Sequence, residues 1–311
     1  MTLSPSNAVA SSLAPWLGTD TPVVGTLTVL PLSGSLRWQG DANRWMARVE
    51  QDALALATGS VDAILVACSD TSATEPFNPA AAVLLTQAIG RIRQLTGKPV
   101  GLSVGVSTNP QGPATALAVA WGSGATFLRV SVGVGGLMTH QGLVSNQLAS
   151  LAKAYDAWKI PADAVAIMVD ISPAQWLPNT AIHESSTLAN VAQACLQGFE
   201  QLPFTVPKGF ICQQKDVSEA LLNTLSQHTA LPLWIEAGDD PMACARLALQ
   251  SQGVLLGRVI EKNTSSTGGP RTSPGIDVPR LEHWVRGLQQ TFLSRSVVTE
   301  ATCQPVPQPL S

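Results

Sequence analysis

The sequence predicts an α/β protein of the (β/α)8 type: one parallel, eight-stranded TIM barrel in a single domain with flexible termini. Three observations carry that expectation. Short β-rich apolar runs alternate with segments of helical period along nearly the whole chain. Eight such strand–helix units fit into 311 residues, the usual size of a barrel of this kind. The strand runs are continuously apolar, as expected where both faces of a parallel sheet are covered. A doubly wound sheet of six to eight strands is the alternative. It lacks support because no GxGxxG follows the first strand to make a dinucleotide site.

Residues 1–20 are a Ser/Ala/Pro-rich lead, expected to be flexible, and "MTLSPSNAVASSLAPW" has neither the basic start nor the apolar core of a secretion signal. The barrel domain is expected over 21–294. Its first strand is "VVGTLTVL" (Val23–Leu30), running into the Pro/Gly turn of "PLSGSLRWQGD". A helix from about Asp41 to Thr58 follows, with Trp45, Val49, Ala53 and Leu56 at helical spacing and Asp41 as its cap. "VDAILVA" (Val61–Ala67) is the second strand, and Asn78-Pro79 and Gly97 bracket the next helix. "KPVGLSVGV" (Lys98–Val106) and the alanine-rich "GPATALAVAWGSG" make the third unit. "ATFLRVSV" (Ala125–Val132), "AVAIMVDI" (Ala164–Ile171), "GFICQ" (Gly209–Gln213), "PLWIEAG" (Pro232–Gly238) and "GVLLGRV" (Gly253–Val259) complete the strands. A last helix is expected from about Val278 to Leu293, after the long flexible insertion "KNTSSTGGPRTSPGIDVP". Residues 295–311 read as a disordered, proline-bearing tail.

Composition narrows the functional classes. A hydrophobic fraction of 45% with only 13% charged residues describes a core-forming protein. A net charge of -3 and the absence of a Lys/Arg cluster give no electrostatic case for nucleic acid. No apolar run reaches the roughly 18–20 residues that a bilayer requires. The five cysteines are scattered without a CxxC pair, so reduced, mostly buried thiols of a cytosolic compartment are expected, and no metal site. "GVGG" (Gly133–Gly136) lacks the spacing of a dinucleotide loop and reads as a loop.

In such a barrel chemistry gathers at the carboxy-terminal ends of the strands. There the sequence places Thr28, Ser35 and Arg37, then Asp70, then the neutral Ser103, Ser107 and Asn109. Arg129 and Ser131 follow, with "GGLMTHQG" carrying Thr139, His140, Gln141 and Gly142. Asp170, the Gln213-Gln214-Lys215 run, Glu236, Gly257 and Arg258 close the set. Asp170, Glu236 and Asp70 are the candidate acid–base residues; the last serves equally as a turn cap. Arg129 alternates with apolar residues, so it points into the barrel and needs a carboxylate, from Asp170 or Glu236. The serines and Arg37 of the first mouth are candidate anion ligands. The acids of "EAGDDP" oppose phosphate binding beside Gly238 and Gly257. No nucleophile has an adjacent base, and no cofactor is implied.

"GTLTVLPLSGSLRWQGD", "SVDAILVACSD…PF", "KPVGLSVGVSTN", "GATFLRVSVGVGGLMTHQG" and "VAIMVDIS" resemble, in this order, the strand motifs of the BtpA family. The resemblance covers Pro22 to Ser172 well and continues faintly through "PLWIEAG" and "GVLLGRVIEKN". It implies a TIM barrel and, in cyanobacteria, support of photosystem I biogenesis. The chain departs from the family's pattern at five mouths. Thr28 stands where the family has a histidine, and Ala67-Cys68 where it has Glu-Asn. Ser103 and Ser131 replace asparagines, and Ser172, Pro173 and Ala174 replace a histidine and a Lys-His. Arg129, Thr139, Gln141, Gly142 and Asp170 are kept; Arg129, Thr139, Gln141 and Gly142, with Ser35, Arg37 and Gly257, form the expected ligand-binding set.

The resemblance and the missing side chains together predict a divergent, non-catalytic assembly factor. Its expected partners are photosystem I subunits or assembly intermediates. Its expected place is the cytoplasm, with peripheral contact at the cytoplasmic face of the thylakoid membrane; a homo-oligomer is compatible with this. Trp16, Trp38, Trp176, Trp284 and Thr264–Val278 are the candidate contact residues. The alternatives are a lyase or hydrolase acting on a small phosphorylated or nucleoside-like substrate, and a small-ligand sensor.

Overall fold

A computed structural model describes residues 12–35, 37–68, 78–103, 105, 109, 111–133, 136–139, 142–145, 147–171, 207–262 and 275–302. The strands β1 (Val23–Val29), β2 (Ala63–Cys68), β3 (Val100–Ser103) and β4 (Phe127–Val130) come first. A hairpin of β5 (Gly136–Thr139) and β6 (Gly142–Ser145) precedes β7 (Ala166–Ile171), β8 (Gly209–Gln213), β9 (Leu233–Glu236) and β10 (Gly253–Leu256). Leaving out the hairpin, the strands close into one eight-stranded parallel barrel in chain order, β10 pairing back onto β1 through Gly25 opposite Leu256. Each of the eight expected strands is present: β8 keeps its expected ends, β2 runs one residue further, to Cys68, and no end is shortened by more than three residues. The hairpin, with Thr139 paired to Gly142, is a structure that the glycine-rich sequence did not announce.

Helices α1 (Ala14–Leu17), α2 (Ala42–Thr58), α3 (Pro79–Thr96), α4 (Gly112–Ser123) and α5 (Gln147–Trp158) lie in the first part of the chain. They are followed by α6 (Glu219–His228), α7 (Pro241–Ala248) and α8 (Val278–Thr302). Local chemistry explains several starts. The Asp41 carboxylate accepts from Arg44 N at 2.9 Å, and Asn78 Oδ1 accepts from Ala81 N at 3.0 Å with Pro79 at the first helical position. Gly97, at φ 64°, ends α3 in the left-handed conformation that glycine adopts most easily.

Alternation along the strands makes two cores. Leu27, Val66, Leu128, Val169 and Ile235 face the helices. Val24, Leu65, Phe127, Met168, Ile211, Trp234 and Leu255 fill the lumen. Phe127 and Trp234 meet edge to face there, ring centroids 6.0 Å apart. Gly101 makes the room, since a Cβ at that position would stand 2.3 Å from the Phe127 ring.

The lead is packed from Ser12 onward. Leu13 and Leu17 are buried to 1% and 3% exposure in the lumen cluster, so α1 closes the base of the barrel. Trp16 donates its indole N–H to the Asp163 carbonyl at 2.7 Å, and Lys208 Nζ lies 5.4 Å from the Trp16 ring. Apolar burial, absent from the sequence reading of this segment, holds it. Leu17→Ala is expected to destabilise the protein by about 2–3 kcal/mol, read as a lowered urea midpoint at unchanged slope. At the other end α8 continues nine residues past Leu293, and Arg295 Nη1 donates to the Ser251 carbonyl at 2.6 Å. The expected tail boundary therefore falls inside a helix. The expected insertion lies largely in 263–274, outside the described residues.

Candidate functional site

The side chains at the barrel's open rim follow from the same alternation. Leu128 and Val130 face the helices while Phe127 faces the lumen, so Arg129 projects inward at the end of β4. Val169 and Ile171 flank Asp170 in the same way on β7, and Ile235 and Ala237 flank Glu236 on β9. The three converge. Arg129 Nε and Nη2 bond the two Asp170 carboxylate oxygens at 2.8 and 2.9 Å. The same Nη2 bonds Glu236 Oε2 at 2.5 Å. One guanidinium is thus clasped by a bidentate and a single carboxylate contact, the geometry its planar fork favours. Side-chain exposures of 11% for Arg129, 14% for Asp170 and 25% for Glu236 leave Glu236 the most accessible.

Burial works against the Arg129 charge, but the Asp170 and Glu236 carboxylates outweigh it and push the guanidinium pKa further up. Burial raises the Asp170 carboxyl above its usual value, and Arg129 only partly opposes this. Cys212, on the neighbouring strand β8 opposite Ile171 and facing the helices, is raised by burial and then by the charge of Asp170, which makes it an inert thiol.

Further polar ties shape the rim. Thr28 Oγ1 donates to Glu261 Oε1 at 2.8 Å, and Arg280 Nη1 donates to the Glu261 carbonyl at 2.9 Å. Gln147, only 2% exposed, accepts from Val132 N at 2.9 Å and donates to the Gly105 carbonyl at 3.1 Å. It joins the loops after β3 and β4. Gln214 similarly accepts from Gly238 N at 2.7 Å and donates to the Asp240 carbonyl at 2.9 Å. A cleft of about 640 Å³ opens beside it, lined by Lys215, Glu219, Asp239, Asp240 and Arg246 among others.

Of the expected site residues, Arg129, Asp170 and Glu236 come together, and Gly257, directly after β10, lies next to Glu236. Thr139 and Gly142 pair in the hairpin. Asp70, Gln141 and His140 lie outside the described residues. Ser35 is buried, but its backbone N–H is committed to the Leu32 carbonyl and Trp38 N to the Ser35 carbonyl. The turn thus occupies its own backbone groups, while the buried Ser35 hydroxyl has no hydrogen-bond partner; Arg37 is exposed. Among the described residues, no group of three or more His, Cys, Asp or Glu could hold a metal ion. Glu261 and Gln147 were not anticipated, whereas Gln214 stands at the strand mouth where it was expected. Glu261 stands in "RVIEKN", five residues past the last strand, with no spacing that marks it. For Gln147 a weak signal existed: a glutamine entering an otherwise apolar helical face, where a buried amide needs partners.

Comparison with known proteins places these features in a family. The sequence profile of the BtpA family matches residues 19–267. The "Photosystem I biogenesis protein BtpA" of a Synechocystis species is 36% identical over 140 residues, 43% of this chain and 46% of that protein. The match thus spans about half the length of that relative. Among solved structures, dihydropteroate synthase from Yersinia pestis, in complex with a sulfonamide drug, aligns with 90% of this chain and 96% of its own at 13% identity and a TM-score of 0.52. Tryptophan synthase from M. tuberculosis aligns with 91% of this chain and 98% of its own, at 16% identity and a TM-score of 0.50. At such identities the structural likeness supports the barrel fold alone.

Proposed function

The chain belongs to the BtpA family, and from that premise we propose that it is a non-catalytic factor supporting photosystem I biogenesis. The observation that carries this reading is the clasped arginine. A substrate-orienting guanidinium keeps a face free for an anion, whereas Arg129 is already bonded to Asp170 and Glu236. The kinship with a relative named for photosystem I biogenesis supplies the process. The factor works in the cytoplasm of a cyanobacterial cell, against photosystem I subunits or assembly intermediates at the cytoplasmic face of the thylakoid. Among the described residues no helix is long and apolar enough to cross a membrane, which suits peripheral contact. Of the expected aromatic contact residues, Trp16 and Trp38 are half-buried. Trp284 is buried at 6%, and Trp176 lies outside the described residues. Trp121 and Trp158, at 47% and 42% exposure on the neighbouring helices α4 and α5, are the better candidates.

Graded expression in a deletion strain tests the reading. A factor that acts by binding is expected to restore photosystem I in proportion to its own level. A catalyst restores it fully at a few per cent of that level. Photosystem I content unchanged by the deletion would refute the role itself, and saturation at low dose its non-catalytic character. The second reading, a lyase or hydrolase on a small phosphorylated or nucleoside-like substrate, is favoured by one observation. Asp170 is a buried carboxyl of raised pKa at the catalytic end of a barrel strand.

A further inference from the structure

We propose that the rim above Gly257 is a binding notch for a primary ammonium group. Three observations converge there. Gly257 follows β10 directly and has no side chain, and a Cβ at that position would stand 3.4 Å from Glu236 Oε1. Glu236 turns its other oxygen, Oε2, to Arg129, so Oε1 overlooks the notch. On the opposite wall, the pairing of Gly25 with Leu256 brings Thr26 level with Gly257. Thr26 lies inside the barrel, because Val24 belongs to the lumen and Leu27 to the helix-facing core. It is 8% exposed, and its hydroxyl has no hydrogen-bond partner, which is costly for a buried polar group. Two residues further up the same face, Thr28 holds the Glu261 carboxylate over the notch through Oε1.

The charge balance fixes the sign of the guest. Three carboxylates, Asp170, Glu236 and Glu261, stand at this rim with one guanidinium, Arg129, which is bonded to the first two. The other charged groups nearby do not offset this. Arg280 gives its N–H to the Glu261 backbone carbonyl and lies 3.5 Å from Asp277, while Arg258 and Lys262 are exposed. Gln213, opposite Glu236 on β8, is neutral. Two carboxylate oxygens and a hydroxyl match the three N–H donors of an ammonium, a compact point charge, better than they match a flat guanidinium. The ammonium belongs either to a small free amine or to a lysine side chain of a protein. The inference does not depend on a role in photosystem I.

Isothermal titration of the full chain at pH 7.5 and constant ionic strength tests it, with propylammonium chloride against tetramethylammonium chloride. Propylammonium is expected to bind saturably and to raise the melting temperature; tetramethylammonium, which has no N–H, is expected to do neither. Glu236→Gln is expected to weaken binding at least tenfold, and Gly257→Ala, which puts a methyl against Glu236, to do the same. Glu261→Gln serves in place of Glu236→Gln if the latter does not fold. A blocked Gly-Lys-Gly peptide and its acetyl-lysine counterpart separate the sources. Tighter binding of the lysine peptide assigns the notch to a protein partner, and binding of propylammonium alone assigns it to a metabolite. Absence of saturable binding by both, an equal response to tetramethylammonium or potassium, or unweakened binding by the glutamine variant overturns the proposal.

Discussion

Arg129→Met is expected to destabilise the folded protein by about 3–5 kcal/mol at neutral pH, the range for removing one partner of a buried ion pair. The loss comes less from the missing attraction than from what remains. Asp170 and Glu236, at 14% and 25% exposure, are left in a poorly solvated rim with no cation between them. The effect carries a pH signature. In the native protein Asp170 has a raised pKa, from burial against the opposing pull of Arg129. Between the unfolded value and the folded one, the folded state holds more protons than the unfolded state. Stability from this group therefore falls as pH rises through that window. Without Arg129 the pull toward ionisation is gone, the folded pKa rises further, and the window widens upward. Urea unfolding of the variant should show a larger deficit at pH 7.5 than at pH 5. Apolar replacement of all three residues should recover most of the loss, because no charge is then left unpaired. A variant as stable as wild type at both pH values would mean that the clasp contributes nothing to folding.

Phe127→Ala ranks with it, at about 3–5 kcal/mol. Phe127 is 1% exposed, fills the gap over Gly101 and meets Trp234 edge to face. Its removal opens a void in the barrel lumen, where closed strands on all sides prevent collapse. The expected result is a lower urea midpoint at an unchanged slope. Gly101→Leu combined with Phe127→Ala should recover part of the loss, since the volume returns from the adjacent strand, β3. A loss below about 1 kcal/mol would indicate that the lumen is loosely packed at this layer.

The strands were legible because each is a local apolar run between turn residues, and the caps because Asp41 and Asn78 act within three residues of themselves. The hairpin β5–β6 was not, since "GLMT" and "GLVS" carry no alternation and little β-branching. Nor was the packed lead. "SSLAPWL" has the composition of a loose terminus, and Leu13 and Leu17 gain their burial only from an open barrel base supplied by strands far along the chain. In the site, alternation placed Arg129 inside and demanded a carboxylate, naming Asp170 or Glu236. Both are engaged.

By itself, then, the sequence determined the closed parallel barrel and the inward set of each strand. Those depend on periods of two and 3.6 residues, which any short stretch displays. Only the tertiary structure decided that Arg129 takes partners 41 and 107 residues away at once, and that Thr28 reaches Glu261, beyond the last strand. The reason is physical: periodicity tells which face a side chain takes, but distance across a ring depends on the order, tilt and register of all its strands together.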